Sequence, residues 1–187
     1  KRGMRFLLRD IISNRILFER STLPYVVMMG SNVLFNLDLN TIIEAHENSG
    51  AKITMVYVKS PKTIGDVSKL TVKAVTPGVQ YGDDAFIDLC IIHRDTLLEI
   101  IDNYGSADYL DLFEAIQGDF SHIDVCSYEY KGLTVGVFDE KSYYKRSMDM
   151  LNPNLSDRLF IPDRPIMTKA HDVPPAHYAA GSHACNS

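Results

Sequence analysis

Apolar residues follow two different spacings along the chain, and the spacing separates predicted helices from predicted strands. Residues 4–18 carry apolar side chains three and four positions apart, which is typical of an amphipathic helix. Continuous apolar runs at "YVVMM", "AKITMVYV" and "FIDLCII" predict buried strands. Between the first two runs, Asn40 and Gly50 predict the two caps of a helix. This strand–helix–strand order is typical of a parallel sheet with a crossover helix.

The second half of the chain continues the alternation of strands and helices. Helices are predicted over "DTLLEIIDNYG" with Asp95 as N-cap, over "DYLDLFEAIQG" and over residues 139–151. "KLTVKAV" alternates like a half-exposed strand, and "HIDVCSYEY" and "LTVGVF" predict a hairpin that turns at Lys131-Gly132. After Pro153 the chain becomes Pro-rich without periodicity, which is typical of a linker. The whole pattern predicts an α/β fold with a mixed, mostly parallel sheet.

Charge and cysteine content narrow the class of protein. The 187 residues carry a net charge of −5 without a basic stripe, so a nucleic-acid partner is not expected. Three cysteines without a CxxC pair, and no signal peptide, predict a cytoplasmic protein in which Cys90 and Cys126 are buried thiols. No apolar run approaches the roughly 20 residues of a membrane span, so no membrane is expected either. We expect the chain to be an internal piece of a longer protein.

Three segments, in order along the chain, resemble one enzyme family. "YVVMMGSNVLFNLDLNTIIEAHENSGAKITMVY" resembles a family segment that contains "GDHIYKMDY", and "FDEKSYYKRSMDMLNP" resembles the family's "GTLDAYWKANLDLL" helix. "RPIMTKAHDVPPAHY" resembles the family's linker, which contains "WPI" and "PPA". The family is that of the ADP-glucose pyrophosphorylases, or glucose-1-phosphate adenylyltransferases. These sugar nucleotidyltransferases make ADP-glucose from ATP and glucose 1-phosphate, with Mg²⁺, for glycogen or starch synthesis.

The resemblance implies a domain organisation. Residues 1–152 would be part of a Rossmann-like nucleotidyltransferase domain. Residues 153–187 would be the linker and the start of a left-handed β-helix domain.

The resemblance also marks four substrate-pocket positions, at each of which this chain departs from the family. Asn32 stands at the metal aspartate of "GD", and Gly136 stands at the second metal aspartate of "RDVG". Thr76 matches the "EKP" lysine that holds the sugar phosphate, and Phe86 matches the "ASMGIY" serine near the glucose. Mg²⁺ prefers anionic oxygens, and phosphoryl transfer depends on cations that neutralise developing charge. We therefore expect no catalytic residue and no cofactor in this chain, and we expect Phe86 to crowd the sugar.

With these losses the chain resembles the regulatory D-type subunit of bacterial glycogen synthesis. The resemblance implies a hetero-oligomer, expected to be a tetramer, with a catalytic ADP-glucose pyrophosphorylase subunit that binds Mg²⁺. It also implies a sugar-phosphate or nucleotide effector. The tyrosine and methionine stripe of the 139–151 helix would be either core or subunit contact.

Two other hypotheses stay open at this point. The chain would be an active nucleotidyltransferase if relocated carboxylates bound the metal, with Asp83, Asp84, Asp88 and Asp139 as candidates. Alternatively, it would be a sensor of sugar phosphate or nucleotide. A solvated turn and a helix cap explain Asp83-Asp84 and Asp139 equally well, and Asp38 also reads as a cap.

Overall fold

The computed structural model describes residues 6–59, 63–64, 84–104, 110–117, 123–167 and 181. Within them the chain forms seven strands and seven helices in an α/β arrangement. The strands are β1 (Tyr25–Met29), β2 (Val33–Phe35), β3 (Ile53–Lys59), β4 (Thr63–Ile64), β5 (Asp84–His93), β6 (Val125–Glu129) and β7 (Thr134–Gly136). The helices are α1 (Leu8–Ser13), α2 (Arg15–Arg20), α3 (Leu39–Ser49), α4 (Arg94–Asn103), α5 (Leu112–Gln117), α6 (Glu140–Asp149) and α7 (Pro153–Leu159).

The main sheet is mixed, as predicted, but its pairing is mostly antiparallel. Its strand order is β1-β5-β3-β6. β5 runs antiparallel to both of its neighbours, whereas β3 and β6 are parallel. β1, β3 and β6 therefore point the same way, and the one reversed strand lies between two of them. The prediction of a mostly parallel sheet was wrong because β1 and β3, although joined by a crossover helix, are separated by β5.

A second, three-stranded sheet has the order β2-β7-β4. β7 pairs antiparallel with β2 and parallel with β4. The predicted hairpin between β6 and β7 was wrong, since β6 pairs with β3 in the main sheet. The short connection around Lys131-Gly132 moves the chain from one sheet to the other instead of reversing it.

Two apolar clusters pack on opposite faces of the main sheet. β5 is buried between them, because its side chains alternate between the two clusters along the strand. α1, α4 and α5 cover the first cluster and α3 covers the second. Cys90 lies in the first cluster, as predicted, and burial raises the pKa of its thiol to about 12. Cys126, by contrast, is only partly buried.

Helix boundaries confirm some predicted caps and correct others. α3 ends at Gly50, which has a left-handed φ of 65°, but it begins at Asp38 and not at Asn40. The Asp38 carboxylate accepts a hydrogen bond from the Asn40 backbone amide at 2.9 Å. Asn40, the predicted N-cap, therefore lies inside the helix and is capped by Asp38. α4 starts after His93 without a side-chain cap, so Asp95 lies in its first turn.

The remaining differences lie near the two ends of the chain. The single helix predicted over residues 4–18 is broken at Asn14, whose side-chain amide donates to the Asp10 carbonyl at 2.8 Å. α7 occupies the start of the region predicted as linker, and its buried Leu159 packs with Leu133 and Val135. "KLTVKAV" and most of residues 162–182 lie outside the described residues. No helix in the described part of the chain is long and apolar enough to cross a membrane.

Candidate functional site

The carboxyl ends of β1, β3 and β6 meet at one edge of the main sheet, where ligands usually bind in α/β proteins. Gly30, Ser31 and Asn32 follow β1 at this edge. The Lys59 ammonium, at the end of β3, lies 2.9 Å from the Glu129 carboxylate at the end of β6. The Lys59 side chain is more than half exposed, so the ion pair contributes little to stability, but it joins two strand ends at this edge.

Asn32 and Gly136, two predicted site positions, come together in the structure. The Val137 amide donates to the Asn32 carbonyl at 2.7 Å, and Val33 pairs with Gly136 in the next position along the two strands. Asn32 is exposed, whereas Gly136 is buried. A Cβ atom at Gly136 would lie 2.5 Å from the Phe138 ring. Neither position offers a carboxylate, although the backbone brings them side by side.

The other two predicted site positions, Phe86 and Thr76, are not placed beside Asn32 and Gly136. Phe86 is 1% exposed and packs into the first apolar cluster, where its ring meets Phe113 edge-on at 4.9 Å. Its bulk is therefore taken up by the core of the protein and does not fill open space at the sheet edge. Thr76 lies outside the described residues. The roles of all four positions as degenerate pocket residues stay predictions.

A bulge in β5 places Asp88 against the strand end that carries Asn32. The register of β5 on β3 jumps from Leu89 to Phe86, so that Ile87 and Asp88 of β5 lie opposite no residue of β3 in the register. One of them, Asp88, is 1% exposed and has a φ of 59°, a conformation that glycine adopts far more easily. The match of Phe86 to the serine of "ASMGIY" puts the glycine of that motif at Asp88. The sequence pattern did not predict the bulge.

Gly30 permits this close approach. Its amide donates to the Asp88 carbonyl at 2.7 Å, and a Cβ atom at Gly30 would lie only 2.7 Å from the Asp88 Cβ. A glycine is thus required at the end of β1 as long as β5 keeps its bulge.

Most of the alternative carboxylates are used elsewhere or lie outside the described side chains. Asp139 is the N-cap of α6 in a reciprocal capping box with Ser142, and this bonding lowers the pKa of the Asp139 carboxyl. Asp38 caps α3, as expected. Asp83 and the side chain of Asp84 are not described. Among the described residues, no group of three or more His, Cys, Asp or Glu side chains is arranged to hold a metal ion.

Asn36, at the far end of β2, is a second residue that the sequence pattern did not reveal. Its side-chain amide donates to the carbonyls of Leu159 and Arg164 at 2.7 and 2.8 Å, and its oxygen accepts from the Arg164 guanidinium. The Tyr130 hydroxyl donates to its backbone carbonyl at 2.7 Å. Asn36 therefore joins the site strand to α7 and to the chain that follows it.

The exposed side chains of Ser31 and Asn32 can form hydrogen bonds with a polar ligand, and among the described side chains no group of three or more acidic, His or Cys residues is arranged for a cation. Phosphoryl transfer needs such cations to neutralise developing charge.

Known proteins with similar sequences include two named Glycogen biosynthesis protein GlgD. The chain is 25% identical to that of Bacillus subtilis over 91% of this chain and 43% of the relative. It is 22% identical to that of Geobacillus stearothermophilus over 86% of this chain and 40% of the relative. It is also 27% identical to the glucose-1-phosphate adenylyltransferase of Kocuria rhizophila, over 83% of this chain and 46% of the relative.

These similarities support membership of the ADP-glucose pyrophosphorylase family. The α/β fold with its mixed sheet is consistent with the nucleotidyltransferase fold of that family. No protein-family model matches the chain. The chain spans less than half the length of these curated relatives.

Proposed function

We propose that this chain is part of a regulatory, non-catalytic subunit of glucose-1-phosphate adenylyltransferase in glycogen biosynthesis. The names of the relatives support a role in this system. One observation carries the non-catalytic part of the proposal. The two positions that resemble metal aspartates, Asn32 and Gly136, are neighbours across β2 and β7, and neither supplies a carboxylate.

The energetic argument is simple. A single preorganised group that stabilises transition-state charge is worth on the order of 3 kcal/mol, or about a hundredfold in rate. The loss of two metal carboxylates should therefore lower turnover by about ten thousandfold, and loss of the cation itself lowers it further. No cofactor is expected in this chain, and Mg²⁺ would belong to the catalytic partner.

The test is an assay of pyrophosphate release by the full-length protein alone, with Mg²⁺, ATP and glucose 1-phosphate. We expect turnover far below the typical enzyme value of about 10 per second. Turnover near that value would favour the alternative of relocated metal ligands. In that case, loss of turnover in Asp88→Asn would identify Asp88 as a metal ligand. Asp88 is the described candidate carboxylate nearest to the end of β1.

A partner subunit is the second part of the proposal, and α6 supports it. Tyr144, Met148 and Leu151 follow one another at helical spacing and are 68%, 50% and 56% exposed. Arg146, on the opposite side of the helix, is only 6% exposed. An ordinary surface helix has the reverse arrangement, with its apolar stripe against the core. Tyrosine and methionine are also enriched in protein interfaces, so this face suits contact with another subunit or domain.

Co-expression with a catalytic subunit, followed by size-exclusion chromatography and light scattering, tests the assembly. We expect one complex, with a tetramer as the expected state, and a stable interface of more than about 1,000 Å². Separate elution at micromolar concentration would contradict the proposal. Tyr144→Glu with Met148→Glu should weaken assembly if α6 contributes, whereas Thr41→Glu on the exposed side of α3 should not.

The remaining parts of the proposal follow from the same resemblance. Residues 1–152 would belong to the nucleotidyltransferase-like domain, and residues 153–187 would lead into a left-handed β-helix domain. The subunit would work in the cytoplasm, without nucleic-acid or membrane partners. A sugar phosphate or a nucleotide would be its effector, which binding measurements with glucose 1-phosphate and ATP would test.

A further inference from the structure

Polar and aromatic side chains from five elements meet at the amino edge of the main sheet, away from the candidate site. They are Tyr25 of β1, His46 and Ser49 of α3, Thr54 of β3, His93 of β5 and Cys126 of β6. We call this set the His46 cluster. It ties the carboxyl-terminal turn of α3 to four strands.

The hydrogen bonds of the His46 cluster can be followed from one donor to the next. The Ser49 hydroxyl donates to the His46 carbonyl at 2.7 Å, so its oxygen is left to accept from the Cys126 thiol at 3.3 Å. The Cys126 sulfur then accepts from the Thr54 hydroxyl at 2.9 Å. Thr54 Oγ1 in turn accepts from His46 Nδ1 at 2.6 Å. This order assigns the single proton of a neutral His46 ring to Nδ1.

The other ring nitrogen of His46, Nε2, accepts no hydrogen bond from the described residues. His46 is 1% exposed, and its Nε2 is buried without a hydrogen-bond partner in the described part of the chain. The rings of Tyr25 and His93 lie 4.9 and 5.1 Å from the His46 ring, measured between centroids. A second proton would therefore enter a site with no acceptor for it, close to another imidazole.

The charged groups around the two histidines do not change this balance. Burial lowers the pKa of His46, with a further contribution from His93, whereas Glu47 on the same helix acts in the opposite direction. Burial also lowers the pKa of His93, with Lys52 adding to the effect and Asp95 opposing it. Burial is the larger cause at both rings, so the neutral forms are favoured in the folded protein.

We propose that the His46 cluster is a pH-sensitive lock that holds α3 on the amino edge of the sheet and opens in acid. The neutral ring closes the chain of hydrogen bonds through Thr54 and Cys126. A doubly protonated ring must leave its buried site to reach water.

The sign of the pH dependence follows from the lowered pKa. Above about pH 6.5, His46 is neutral in both the closed and the open state, and the lock is at full strength. As the pH falls from there through the lower pKa of the closed state, only the open state takes up the proton, so closing becomes less favourable. For one imidazole held neutral in the closed state, the opening constant should rise about tenfold between pH 7.5 and pH 5.5.

Amide hydrogen exchange on the full-length protein tests the lock, with rates corrected for the intrinsic effect of pH. We expect the opening constant of α3 to rise about tenfold between pH 7.5 and pH 5.5, while that of α6 changes less than about twofold. His46→Asn keeps a side-chain donor near Thr54 but has no ring to protonate, so α3 should lose the response. An equal acid response in the variant, or none in the wild type, would overturn the proposal.

A second measurement keeps the test independent of the variant, which could fold poorly. NMR titration of the His46 ring protons in the wild type should give a midpoint below the ordinary histidine value of about pH 6.5. A His46 ring that titrates in the folded state at or above pH 6.5 would overturn the proposal even if every variant were well folded.

Discussion

The two edges of the main sheet use polar side chains in different ways. At the amino edge, the polar side chains of the His46 cluster bond mainly to one another. At the carboxyl edge, Asn32 is exposed, and the end of β1 that carries it is held by the backbone contact from the Gly30 amide to the Asp88 carbonyl. The architecture of the candidate site thus depends little on the side chains that would perform chemistry. Such a site can lose catalytic residues and keep its fold.

The largest effect that we expect from a single substitution is at Asn36. Asn36→Ala removes two donors and one acceptor from a buried position and leaves the Leu159 and Arg164 carbonyls without their partner. The free energy of unfolding should fall by about 4 kcal/mol. Asn32→Ala, four residues away and exposed, is the matched control and should stay within about 0.5 kcal/mol of the wild type. Denaturant unfolding measures both, and equal effects would contradict the comparison of the two residues.

Gly30→Ala should come next. The new Cβ would lie 2.7 Å from the Asp88 Cβ, so a strand must move, at a cost of about 3 kcal/mol. Gly50→Ala meets no atom within 4 Å but has a φ of 65°, and it should cost about 1 kcal/mol. Adding Asp88→Gly to Gly30→Ala removes the clash, so a double-mutant cycle should show favourable coupling. No coupling would mean that the bulge does not set the requirement for glycine.

Two buried threonines sharpen the contrast between bonded and unbonded polar groups. Thr54→Val breaks the hydrogen bonds to His46 and Cys126 and should cost about 2 kcal/mol. Thr134 Oγ1 is buried in β7 and has no partner in the part of the chain that the structure describes. Thr134→Val should therefore be neutral or stabilising by up to about 1 kcal/mol. Thermal unfolding of both variants measures the two changes in stability. A larger loss of stability in Thr134→Val than in Thr54→Val would mean that Thr134 Oγ1 has a hydrogen-bond partner.

The smallest effect concerns the start of α6. The capping box lowers the pKa of Asp139, so its charge stabilises the folded state above the unfolded pKa of about 4. That contribution is lost as the pH falls through the lower folded pKa. Asp139→Asn keeps a capping side chain but should remove this part of the acid sensitivity, which pH-dependent unfolding would measure. An unchanged acid transition would assign the sensitivity to other carboxyl groups.

Local patterns predicted the elements of this fold better than their arrangement. The apolar runs of β1, β3 and β5 and the glycine that ends α3 are local features, and the structure confirms the three strands and the helix end. The predicted burial holds for β3 and β5 but was wrong for β1, in which Val27 and Met29 are exposed. Strand neighbours are not local. Nothing in the run "FIDLCII" indicates that β5 reverses and lies between β1 and β3. The same limit explains the incorrect hairpin, because β6 and β7 are adjacent in sequence but belong to different sheets.

The candidate site was predictable only in part for a related reason. The resemblance put Asn32 and Gly136 in one site, and the backbone brings them side by side. The resemblance also put Phe86 near the sugar. Most side chains of β5 around Phe86 are apolar, so the sequence does not show which face of the sheet the Phe86 side chain occupies. Its ring lies in the core. The bulge at Asp88 depends on β3 and Gly30 together, so no pattern within β5 could predict it.

The central claim is that this chain contributes regulation and not catalysis, and an assay of the assembled complex tests it most directly. The full-length protein would be assembled with a catalytic subunit whose two matching metal aspartates are replaced by asparagine. We expect ADP-glucose synthesis to disappear in that complex, and to persist in the complex that contains the intact partner. Synthesis that persists with the inactivated partner would place a working active site in this chain and contradict the account.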